Sequence, residues 1–88
     1  MSQNLKNVME MLVAQRLEEI KDRLPGCKCD ICLQDITAHA LNHLEPKYVA
    51  THTGELYTKA DALTMQNEID LTSALVKSAE IVSKNPRH

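Results

Sequence analysis

The chain has 88 residues, 43% of them apolar, with two tyrosines, no phenylalanine and no tryptophan; ten basic against twelve acidic residues leave a net charge of −2 with histidine neutral. A chain this short buries only about 60% of the surface its unfolded form exposes, so it can form one domain with one thin core of Leu, Ile, Val, Met and Ala. The weak negative charge, with no long run of either sign, excludes a general DNA or RNA clamp, which needs a broad basic patch, but leaves room for a small anion met by one or two cations near a helix end.

From Asn4 to Leu24 the apolar residues Leu5, Val8, Met9, Met11, Leu12, Val13, Leu17, Ile20 and Leu24 recur mostly at spacings of three and four, the period of an amphipathic helix. Ser2 or Asn4 stands where a cap is expected, Lys6 with Glu10 and Glu19 with Arg23 have i,i+4 spacing, and Pro25-Gly26 stops the run. A shorter helix is predicted from about Asp30 to Leu44, carried by Leu33, Ile36, Ala40, Leu41 and Leu44, and Pro46 ends it. Glu45 to Tyr57 contains Pro, Gly and few regularly spaced apolar residues, so it reads as a loop of about a dozen residues, and loops of that length are uncommon unless they bind something or form a compact Ω-type excursion. Thr58 followed by Asp61 resembles a capping box and opens a long last helix from Lys59 to about Ser83. A helix of about 24 residues is about 36 Å long, more than the middle helix can cover. The surplus apolar face argues for a second copy of the chain, against the alternative that it lies along the first helix.

These elements describe an all-α, three-to-four-helix single domain spanning residues 1–88. Domains so small usually recruit a disulfide, a metal or a partner subunit. Met1 to Lys6 lack a basic region followed by an apolar stretch, and no window approaches about 18 uncharged apolar residues, so a cytoplasmic protein without membrane insertion is expected.

Cys27, Cys29 and Cys32 form C-x-C-x-x-C just after the Pro25-Gly26 turn. An odd number of cysteines in so short a stretch suits thiolates kept for a metal better than a secreted disulfide framework. A tight turn running into a helix start gathers thiolates as structural zinc requires, and the helix N-terminus favours the thiolate form. Redox chemistry at Cys29 and Cys32, or three uncommitted thiols, are the competing readings. In an up-down-up arrangement the end of the last helix returns to the cysteines, making His88 the preferred fourth ligand. His39 and His43 lie too far along the second helix, where they are expected as surface or satisfied core histidines, and His52 falls at the opposite pole. The loop offers Lys47, Tyr48, His52, Thr53 and Lys59 as candidate ligand-binding residues, joined by Arg87 if two chains pair antiparallel; the alternative is a solvated loop with Tyr48 as a core plug. No nucleophile beside a base, Gly-rich phosphate loop or forced carboxylate pair is visible, so no enzyme is expected.

The helix ending Leu24-Pro25, the knuckle Cys27-Lys28-Cys29-Asp30-Ile31-Cys32, the run from Asp35 to Asn42, Pro46-Lys47-Tyr48-Val49, Tyr57-Thr58-Lys59 and the ending Ser83 to Arg87 together resemble the late competence development protein family ComFB. The resemblance implies a small all-helical homodimer with cysteine-bound zinc, in a non-enzymatic signalling role linked to competence or type IV pilus behaviour. It further implies a cyclic di-GMP receptor, with Lys47 to Thr53 and Arg87 as the contact region. The family pattern places another cysteine just beyond the Pro-Arg pair; here His88 either substitutes for it or the site lacks that ligand. A protein-protein interaction adaptor without a nucleotide is the alternative.

Overall fold

The computed structural model describes residues 5–62 and 64–86. In chain order it contains a short strand β1 (Lys6–Asn7), helix α1 (Val8–Ile20) tightening into a 3-10 turn (Lys21–Arg23), α2 (Asp30–His43), β2 (Tyr48–Val49), α3 (His52–Ala62) and α4 (Met65–Lys84). It is thus a mostly helical, four-helix domain with a two-stranded antiparallel ribbon, in which Lys6 faces Val49 and Asn7 faces Tyr48. No described helix is long and apolar enough to cross a membrane.

The first helix begins later than the apolar spacing suggests. Asn7 is its cap, its Oδ1 accepting the Met9 N–H at 3.1 Å, and the same oxygen accepts the Lys47 N–H at 2.8 Å. Val8 donates its N–H to the Lys47 carbonyl at 2.8 Å, so the start of α1 and the approach to β2 are tied together. Lys6 turns away from Glu10 to bond Glu55 on α3 at 2.8 Å, and Glu19 pairs with Arg16 at 3.3 Å.

The expected loop from Glu45 to Tyr57 is β2 followed by the first half of α3. Thr51 starts that helix: its Oγ1 accepts the Gly54 N–H at 3.0 Å and its carbonyl accepts the Glu55 N–H at 3.0 Å, the pairing expected of an N-cap threonine. Thr58 and Asp61, expected to cap the last helix, lie inside α3. Thr64 caps α4 instead, its Oγ1 accepting the Asn67 N–H at 3.4 Å. Asn67 Nδ2 reaches back to the Asp61 carbonyl at 2.8 Å, fixing the corner between the two helices.

The core lies where α1 and α4 enclose α2, and α2 and α4 share the broadest contact. Cys32, Ile36 and Ala40 recur every four residues on α2 and face Leu71, Leu75, Ala79 and Val82 on α4, with Met9, Val13, Leu17 and Leu24 closing the third side. Small Ala40 and Ala79 in this cluster let the helices approach closely. Burying Ile36 or Leu75 contributes roughly 1.5–3 kcal/mol each, a large share for so thin a core.

Glu55 joins β1 to α3, taking Lys6 on one carboxylate oxygen and Lys59 on the other at 2.9 Å, while its side chain keeps 13% exposure. Lys6 first, and Lys59 second, hold its carboxyl down at about 2. A depressed folded-state pKa means the unfolded chain takes up the proton first. The contribution is therefore complete above the ordinary carboxylate range and is lost as pH falls from about 4.5 to about 2. Denaturation of Glu55→Gln across this range should show a shallower loss of stability on acidification than the parent chain; parallel curves would remove Glu55 from the acid response.

Candidate functional site

Pro25 and Gly26 turn the chain out of the first helical segment, and Gly26 does so at φ 87°, a conformation side chains with a Cβ resist. A Cβ at this position would also stand 2.7 Å from Ser83 Cβ. The turn therefore rests directly on the C-terminal end of α4, and the end of the first helical segment, the start of α2 and the end of α4 share one pole, as expected from an up-down-up course. His88 and Arg87 lie outside the described residues.

Cys27, Cys29 and Cys32 gather here with their sulfurs within 4.8 Å of one another. Cys27 is exposed, Cys29 half-buried and Cys32 buried. Cys29 is the N-cap residue of α2, and the Cys32 N–H above all, against the cost of burial, favours its thiolate and draws its pKa below the usual thiol value. Burial first, and then the neighbouring sulfurs, push Cys32 up to about 11. The Cys29 N–H points at Cys27 Sγ at 3.3 Å.

Three thiolates bound tetrahedrally at about 2.3 Å to one ion stand about 3.8 Å apart. The observed sulfurs lie within 4.8 Å of one another, so a small inward movement would close them on a thiophilic ion and the three cysteines could hold one. Bound there, such an ion would bridge the turn to the first turn of α2. Among the described residues no histidine, aspartate or glutamate joins the three sulfurs.

His39 and His43 stay away from the cluster and are satisfied elsewhere. His39 Nδ1 is 2.8 Å from Oγ of Ser78, which is buried on α4, and His43 Nδ1 donates to the His39 carbonyl at 2.8 Å. Their rings stack with centroids 4.3 Å apart. They flank a groove of about 670 Å³ between α2, α4 and the Leu44–Lys47 segment, to which Lys47, Asp70 and Lys77 contribute charge.

Of the candidate ligand residues in the segment before and within α3, only Lys47 borders this groove. Tyr48 is exposed on β2, His52 and Thr53 open α3 on the outside, and Lys59 is held by Glu55. The groove residues Asp70, Ala74, Lys77 and Ile81 were not singled out in the sequence, although they recur at three and four along α4, opposite the i,i+4 pair of histidines.

Residues 6–86 match the family described as late competence development protein ComFB. The chain is 32% identical over 83 residues to competence protein ComFB of Bacillus subtilis (strain 168), covering 93% of this chain and 85% of that protein. A solved structure of late competence protein ComFB from Bacillus subtilis superposes with a TM-score of 0.84 at 32% identity, over 93% of this chain and 91% of that one. The match runs through the helices, the cysteine turn and the end of α4 alike, and by it the chain belongs to the ComFB family of late competence development proteins.

Proposed function

We propose that the protein is a regulator of competence that works by association rather than catalysis, as a homodimer whose cysteine pole is clamped by structural zinc. The observation carrying this reading is the amount of large apolar surface left outside so small a core: Tyr57 is 75% exposed, Tyr48 64%, and Leu56 and Ile69 54% each. Exposed side chains of this size on adjoining elements mark contact with another protein surface. Zinc is supported by the all-thiolate donor set, since soft sulfur ligands select zinc among the common divalent ions. His88 is the residue we assign as fourth ligand.

A second reading, as a receptor for cyclic di-GMP, is favoured by one observation. Lys47, Lys77, His39 and His43 border one groove against the acids Glu45 and Asp70, an excess of groups able to meet two phosphates. One experiment separates the two: the molar mass of the zinc-loaded chain by light scattering, with calorimetry on the same sample upon adding cyclic di-GMP. A mass of twice 9.9 kDa without heat supports the adaptor. Heat that disappears in Lys47→Ala supports the receptor, and a 9.9 kDa monomer at every concentration with no heat overturns both.

A further inference from the structure

The residue between the first two cysteines is as constrained as the cysteines themselves. Lys28 is half-buried, and its Nζ donates to the Leu24 carbonyl and, at 2.7 Å, to the Gly26 carbonyl. Leu24 is the C-cap of the first helical segment, where backbone acceptors have no helical partner and a cation is favoured, and Gly26 lies in the turn just beyond it. A lysine capping a helix end is ordinary. This one does so across the turn that delivers two sulfurs.

Lys28 Nζ is drawn back onto Leu24 and Gly26, while Cys27 and Cys29, the residues on either side of it, bring their sulfurs within 4.8 Å of that of Cys32. We infer that Lys28 is a positioning residue of the metal knuckle: its ammonium latches the turn so that Cys27 and Cys29 are presented side by side before the ion arrives. The latch is electrostatically consistent with its task, because three thiolates around one divalent ion leave a negative charge that a cation in the same turn offsets. Gly26 completes the device. Its φ of 87° and its contact with Ser83 give the latch a fixed base on α4.

This inference rests on the zinc reading given above. The test uses the full zinc-loaded chain, with Lys28→Met, which keeps side-chain length, and Lys28→Arg, which keeps charge and donors. Zinc affinity is measured by competition with a chromogenic chelator well below the melting transition, together with the visible spectrum of cobalt-substituted protein. Loss of a supporting contact around a metal ligand weakens affinity about 10-fold to 100-fold. Lys28→Met is expected at the lower end of that range, with an altered cobalt spectrum, and Lys28→Arg is expected to recover most of the affinity. If Lys28→Met lowers the urea midpoint but holds zinc as the parent does, with the same cobalt spectrum, the lysine is a helix cap only and the inference is overturned. Parent protein that retains no zinc overturns the zinc reading itself, and the inference with it.

Discussion

Cys32→Ser is expected to abolish zinc retention at the proposed cysteine site and to cost more than about 4 kcal/mol, the range reserved for loss of a metal or severe core damage. Two separate penalties meet at this residue. Its sulfur is one of the three that face each other, and its side chain is 2% exposed inside the core beside Ile36 and Leu75. Serine replaces a soft ligand by a poor one and leaves a hydroxyl among apolar neighbours. Cys27→Ser separates the penalties, because Cys27 is exposed and would lose only its bond to the proposed zinc. Metal content and urea unfolding, each with and without chelator, check this. With chelator present, Cys27→Ser should unfold with its parent, whereas Cys32→Ser should remain less stable. Full metal retention by Cys32→Ser would remove it from the centre.

Leu75→Ala is expected to cost about 2–5 kcal/mol, which for a domain near the low end of the usual 5–15 kcal/mol is enough to leave a sizeable unfolded fraction at ambient temperature. Leu75 has no exposed surface and sits at the middle of the contact between α2 and α4. The chain has no phenylalanine or tryptophan to spread into the space, so collapse around the missing atoms is limited and the cavity term stays large. Urea unfolding followed by circular dichroism measures it. A cost below about 1 kcal/mol would mean that the α2–α4 contact repacks freely, contrary to the close packing expected of protein interiors.

Local chemistry made part of this structure readable before folding. The run from Asn4 to Leu24, its arrest at Pro25-Gly26 and the gathering of the cysteines are statements about neighbours in sequence, and they stand except for the helix start, which the structure moves to Val8 with Asn7 as its cap. The middle of the chain was misread because three threonines offered nearly the same signal. Thr51, Thr58 and Thr64 each precede polar residues at helical spacing, but only Thr51 and Thr64 cap helices. The choice follows from long-range packing: Val49 pairs with Lys6 and Glu55 bonds the same Lys6, which places the helix start ahead of Thr58. The ribbon was invisible for a related reason. Two-residue strands carry no periodicity, and their partners lie about forty residues apart, as the Asn7–Lys47 bond does. The groove needed both α2 and α4 in place, so neither segment alone revealed it; the sharing of one pole by the knuckle and the end of α4 was expected from three helices running up, down and up, and it holds although the described residues form four.

The amide oxygen of Asn7 serves two customers from distant stretches of chain, Met9 and Lys47. Whatever tugs on the Lys47 backbone, such as a molecule settling at the rim of the groove, must therefore be felt at the first turn of α1, because the two N–H groups draw on the same lone pairs. The opening residues and the midpoint of the protein are in this sense one joint.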